Sequence, residues 1–225
     1  MEFEGEYIDG KRNGKGKEYN TNDNLIFEGE YSNGKWVEGY YKDYDDNGNL
    51  IFEGDYSEEQ KVGKGKEYDN NGNLLFEGEY LNHKRIKGKE YVKGKLEYEG
   101  EYLNELKYNG KGYDENGNII YELINGNGKV KEYYKNGNIK FEGEYLNQLK
   151  NGKVKEYYEN CNLEFDGEYL DGKKNGKSKE YYHNGELLFE GEYLNGIRWK
   201  GKGKEYYFAQ ARFEGEYLNG KRKRI

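Results

Sequence analysis

Three stretches carry residue types at a spacing that could do chemistry. Asp43-Tyr44-Asp45-Asp46-Asn47-Gly48 has the alternating oxygen donors that open a calcium-binding loop. The position that should close the ion with a bidentate carboxylate is Gly54, and Glu53 comes one residue early. Both flanks alternate like strands, so the segment reads as a polar hairpin turn. Gly172-Lys-Lys-Asn-Gly176-Lys177-Ser178 falls one residue short of a phosphate-binding loop. Strand-like residues follow it, where a helix N-terminus would have to aim its N–H groups. The two histidines, His83 and His183, are about four sequence repeats apart, too far to share a site. Hydroxyl nucleophiles other than tyrosine are confined to Thr21, Ser32, Ser57 and Ser178. The single cysteine, Cys161, excludes an internal disulfide and occupies the glycine slot of the turn Asn160-Cys161-Asn162, which reads as an altered turn. The glutamates follow the repeat and read as a solvated face rather than a general-acid pair. No catalytic residue, metal site or cofactor is expected.

The elements that carry these residues are copies of one unit. In Phe189-Glu-Gly-Glu-Tyr193-Leu-Asn-Gly196 the odd positions are aromatic, glycine and aromatic, and the even ones within the strand are charged. That period of two marks a strand with one apolar and one charged face. A second strand, Gly201-Lys-Gly203-Lys-Glu-Tyr206, answers it, so glutamates meet lysines on one face and rings lie over glycines on the other. The anchoring ring returns at Phe3, Phe27, Phe52, Phe76, Tyr98, Tyr121, Phe141, Phe165, Phe189 and Phe213, roughly 24 residues apart. The glycine two places after the anchor is replaced once, by Leu123, and the second glycine of the answering strand becomes Val130, Val154 or Ser178 in three copies. Turns of the Asn71-Gly72, Asn116-Gly117, Asn136-Gly137 and Asn184-Gly185 type join the strands, since both residues tolerate positive φ.

Composition supports order without an ordinary core. The chain has 225 residues, 33% hydrophobic and 36% charged, with a mean hydropathy of −1.35. Its 27 tyrosines and 9 phenylalanines sit at regular places, which disorder would not produce. Proline is absent, as strands paired on both sides require. The expected fold is all-β: an elongated single-layer antiparallel sheet of consecutive β-hairpin repeats, one open-ended array over residues 1–225 with about nine units, irregular in 98–140. A formal net charge of −7 argues against nucleic acid. No apolar run reaches the ~20 residues of a membrane-spanning helix. The expected location is cytoplasmic, or peripheral at a membrane.

The pattern Phe/Tyr-Glu-Gly-Glu-Tyr followed by Asn-Gly-Lys-Arg-Asn-Gly-Lys-Gly, clear in Phe3–Gly16, Phe76–Tyr91 and Phe189–Tyr206, resembles the MORN repeat. The Lys-Glu-Tyr-Tyr and Asn-Gly-Asn elements resemble a MORN variant of bacterial antitoxin-like proteins. The resemblance implies consecutive hairpins in a twisted sheet, used in scaffolds, in protein contacts and in phospholipid attachment. Trp36–Tyr41 and Tyr98–Ile124 depart from the pattern, which argues against uniform binding along the array.

The expected function is a non-catalytic protein-interaction scaffold that docks a partner peptide or helix on its aromatic and glycine face. Trp36, Tyr40, Tyr41 and Trp199 are the irregular large rings and the candidate partner-binding residues. Lys221, Arg222, Lys223 and Arg224 are the candidate anionic-surface residues, supplying at most about 4 kcal/mol at a membrane. They serve equally as charged gatekeepers on an open strand. Open terminal strands make end-to-end or homodimeric self-association an alternative, and a specific toxin is the partner in an antitoxin or immunity reading.

Overall fold

The computed structural model describes residues 2–207 and 210–224, and the side chains of 206, 207, 210–212 and 224 lie outside that description. Within it every regular element is a strand, from Glu2–Ile8 to Lys221–Arg224. Each strand pairs antiparallel with its neighbours in sequence, except across the turn between Leu123 and Gly128. The result is two open sheets, one of eleven strands through Ile119–Leu123 and one of nine from Gly128–Tyr133 onward. The all-β hairpin array expected from the sequence is present, with one interruption in its ladder. Contacts gather the chain into two compact units, Met1–Lys107 and Tyr108–Ile225.

In the first unit, glycines face glycines across successive strands: Gly65 pairs with Gly78, and Gly78 with Gly88. Phe76 lies over this pair and is fully buried. A Cβ added to Gly78 would stand 2.6 Å from Phe76 Cζ and 2.7 Å from Gly88 Cα. The ring therefore rests directly on backbone, and the core is a row of such rings rather than a layer between two sheets. Phe27, Phe52 and Tyr98 repeat the arrangement, and Tyr31 and Tyr80 complete the buried row. Ring pairs such as Phe76 and Tyr80 meet edge to face, with centroids 5.6 Å apart.

The second unit uses the same construction with one partner enlarged. Val154 pairs with Gly167 and Ser178 with Gly191, all on the ring face. Modest bulk is accepted on one strand because the other remains glycine. At Leu123 the rule fails on the other strand, and there the ladder breaks. Leu123 is 1% exposed, and the strands on either side of the turn share only the bridge between Ile124 and Asn127. A side chain now occupies the place where backbones approach each other elsewhere. Of the apolar run Ile119–Ile124, Tyr121 and Leu123 point inward while Ile119, Ile120 and Ile124 are exposed.

The turns follow the sequence reading. Asp45 carboxylate oxygens accept from Asn47 N at 2.9 Å, Asn49 N at 2.8 Å and Asn49 Nδ2 at 2.9 Å, an Asx-type turn. Cys161 takes φ 69°, the conformation of the glycine it replaces.

Candidate binding surface

Both faces of the sheet are chemically defined. The charged face carries the expected cross-strand pairs, such as Lys17–Glu28 at 3.0 Å, Lys131–Glu142 at 2.9 Å and Lys179–Glu190 at 3.1 Å. Side chains there stand around shallow grooves floored by glycine. One of about 530 Å³ is lined by Lys177–Lys179, Glu190–Glu192 and Lys200. Its walls alternate in sign, so the groove favours no single charge.

The ring face is not bare. Nine residues after an anchoring ring, the chain returns inward with a cation that sits over the ring face: Arg12 over Phe3 at 4.7 Å, Lys61 over Phe52 at 3.7 Å, Arg85 over Phe76 at 4.2 Å and Lys107 over Tyr98 at 4.6 Å. In the second unit Lys150, Lys174, Arg198 and Arg222 cap Phe141, Phe165, Phe189 and Phe213. Each cation is the cross-strand partner of the repeat's tyrosine, as in Tyr80↔Arg85 and Tyr169↔Lys174. The ring is thus held between glycine backbone and a cation, a desolvated cation–π contact.

A row of inward glutamates, from the Lys-Glu-Tyr elements, neutralises the caps. Glu67 binds Arg85 and accepts from Tyr80 Oη at 2.6 Å. Glu180 binds Lys174 at 2.6 Å, Arg198, and Tyr193 Oη at 2.7 Å. Burial alone would push the Glu67 and Glu180 carboxyls up, but these hydrogen bonds and cations together hold both below the usual carboxylate range. The tyrosine hydroxyls respond in the opposite sense. Burial first, then the adjoining carboxylate, raises the Tyr80 and Tyr193 phenols and keeps them protonated.

One hairpin of the first unit departs from this order. Where the cation should cap Phe27, Trp36 stacks on it at 4.6 Å with planes 5° apart. Its indole Nε1 donates to Glu18 at 3.0 Å, filling the hydrogen-bonding role of the missing cation. Tyr41 and Tyr56 pack beside it, with centroids 5.6 and 5.5 Å from Trp36. All three rings are half-buried, so aromatic carbon reaches the surface here.

The rings singled out from the sequence do not form one cluster. Trp36 and Tyr41 share the ring face, whereas Tyr40 pairs with Glu28 and Asp55 on the charged face. There burial, with Glu53 and Asp55 nearby, pushes the Tyr40 phenol up to about 12. Trp199 belongs to the second unit, in the register shift between Lys200 and Arg198, and is 36% exposed. The basic run Lys221–Arg224 is itself a strand and alternates between faces. Arg222 is committed to Glu205 at 2.8 Å and to the Phe213 ring, and the side chain of Arg224 lies outside the described ones.

The stretches with borrowed chemistry resolve into turns and strands. The Asp45 carboxylate is engaged by its own turn, and among the described residues no group of three or more His, Cys, Asp or Glu could hold a metal. In the phosphate-loop-like stretch, residues from Lys173 form a strand, and Gly176 has φ 67° beneath Glu168. Ser178 is buried there without a hydrogen-bond partner. His83 Nδ1 approaches Lys61 N at 3.5 Å in the first unit, and His183 lies in a turn of the second. Sequence reasoning missed the cation row, although a Lys or Arg nine residues after the ring was there to be seen.

Fold and surface together define an open β-hairpin repeat protein that displays surfaces. Comparison with known families matches the MORN repeat variant at residues 12–33, 37–58, 61–82, 126–147 and 174–195, so MORN-type repeats recur across much of the chain. Proteins built of these repeats generally mediate protein–protein interactions, and the fold is that of a non-catalytic interaction module. Comparison with curated proteins gave no match. No helix among the described residues is long and apolar enough to cross a membrane.

Proposed function

We propose that the chain is a non-catalytic protein-interaction module whose partner docks on the ring face of the first unit, at Trp36, Tyr41 and Tyr56. The observation that carries this reading is the replacement of a cation cap by indole over Phe27. At most other rings of this face an approaching chain meets a Lys or Arg already paired with Glu, and must break that pair to reach the ring. At Trp36 it meets aromatic carbon. Tryptophan and tyrosine anchor interfaces because they bury much area at small entropic cost. The fitting partner is a peptide strand or amphipathic helix with apolar side chains, a toxin segment among them. An anionic membrane is the second reading and has less support, because Arg222 is already engaged.

The discriminating variant is Trp36→Lys, which restores the repeat's own cation above Phe27 and beside Glu18. Affinity capture from the native host with wild type and variant, read by mass spectrometry, should show a partner lost with the variant. The same captured set at the same yield would refute docking at this surface. Sedimentation with acidic liposomes, lost on replacing Lys221 and Lys223 with Gln, would support the membrane instead.

A further inference from the structure

Among the described residues eight cations cap the anchoring rings on this face, and seven of them also bind a carboxylate: Arg12 with Glu18, Arg85 with Glu67, Lys107 with Glu97, Lys150 with Glu156, Lys174 and Arg198 with Glu180, and Arg222 with Glu205. Lys61 is the exception. Its ammonium stands 3.7 Å from the Phe52 centroid, and no carboxylate among the described residues is within ion-pair reach. The cause lies in the sequence. Phe76 lies between Glu67 and Glu90, and Phe165 between Glu156 and Glu180, but Phe52 lies between Asp43 and Glu67. Aspartate is one methylene shorter, and its Oδ1 accepts instead from Tyr44 N at 3.1 Å. The other candidate partner, Glu67, is occupied by Arg85 and Tyr80. His83 contacts only the Lys61 backbone.

We propose that Lys61 is a nucleophilic amine of this chain, a site of acylation by an activated acyl group such as a thioester or an anhydride. Burial disfavours the ammonium and lowers the Lys61 pKa, with Asp43 and Glu67 opposing from a distance. At any given pH more of this amine is neutral than of an ordinary lysine. Its Nζ lone pair attacks the acyl carbonyl carbon and the C–N bond forms. The bond to the thiolate or carboxylate leaving group breaks, and the amine proton passes to solvent. The half-buried side chain remains open to a small reagent. The product also suits the site. An amide over Phe52 still covers the ring and leaves no carboxylate without a cation, whereas acylating Lys150 or Lys174 would strip Glu156 or Glu180 of a partner.

The experiment is limited acetylation of the native chain with acetic anhydride at mildly alkaline pH, quantified lysine by lysine by mass spectrometry. Lys61 should react severalfold faster than the capping lysines Lys107, Lys150 and Lys174. In Asp43→Glu, which restores the missing methylene and brings a carboxylate to the ammonium, its rate should fall to theirs. Equal rates for Lys61, Lys150 and Lys174 in the wild type would overturn the proposal. So would an unchanged Lys61 rate in an Asp43→Glu protein that melts at or above the wild-type temperature.

Discussion

Replacing Gly78 with alanine tests the contact on which the whole array rests. Gly78 does not have positive φ, so alanine meets no backbone penalty there and would gain about 0.4–1 kcal/mol by stiffening the unfolded chain. The added methyl, however, would lie 2.6 Å from Phe76 Cζ and 2.7 Å from Gly88 Cα. One relief is for the ring to lift. That exposes part of a fully buried phenylalanine, whose burial contributes ~1.5–3 kcal/mol, and disturbs Arg85 at 4.2 Å above it. The other relief is for the strands to part, which loses ladder hydrogen bonds at ~1 kcal/mol each. With ~1–3 kcal/mol typical of overpacking, the net loss should be about 2–3 kcal/mol. Ser178→Ala is the contrast, because it sits at the equivalent glycine position of the second unit but only removes a buried hydroxyl without a partner. That change should be neutral or stabilise by up to about 1 kcal/mol. Urea unfolding should be followed by Trp36 fluorescence in a Trp199→Phe background, so that the signal reports the first unit for the Gly78 variant. The reverse background, Trp36→Phe, reports the second for Ser178. A Gly78→Ala protein within about 0.5 kcal/mol of its parent would refute the claim that rings lie on glycine backbone.

Other consequences follow from the same geometry. Glu180→Gln should destabilise by about 2–3 kcal/mol, since Lys174 and Arg198 lose their common carboxylate, while Glu190→Gln, 54% exposed, should cost under about 0.5 kcal/mol in the same urea titration. Glu18, Glu67 and Glu180 are held below their usual range in the folded chain, so the stability they contribute is complete above the unfolded value of about 4.5 and is lost as pH falls through the folded ones. Thermal melts should therefore be level from neutral pH to about pH 5 and decline below about 4.5, and a flat profile through pH 3 would contradict the buried pairs. Cys161→Gly should stabilise the second unit by about 1 kcal/mol, because a side chain at φ 69° is strained there and glycine is not.

Much of this protein is legible in one dimension because its contacts are nearly local. Phe189, Gly191 and Tyr193 share a face by the two-residue period of a strand, and Gly185, at φ 86°, closes a hairpin. Ring over glycine follows from those facts, as does the pairing of Glu190 with Lys179 on the other face. The Asx turn at Asp45 and the glycine slot at Cys161 were readable for the same reason. That Trp36 and Tyr41 lie on one face and Tyr40 on the other follows from the strand itself, because adjacent residues such as Tyr40 and Tyr41 point to opposite faces.

The sequence by itself determined strand, turn and face, since each depends on residues within one hairpin. Only the folded sheet decided what lies above the rings. The register shift just before the repeat's tyrosine, as between Glu79 and Tyr80, carries Arg85 across to Phe76, and Glu67 reaches Arg85 from the preceding hairpin. Which cation finds a carboxylate then turns on the two carboxylates that flank its ring, a shorter Asp43 and an already engaged Glu67 at Phe52. Likewise the ladder stops at Leu123 because two backbones meant to approach closely meet a side chain instead. Such outcomes depend on distances between strands, which residue types and spacing do not specify.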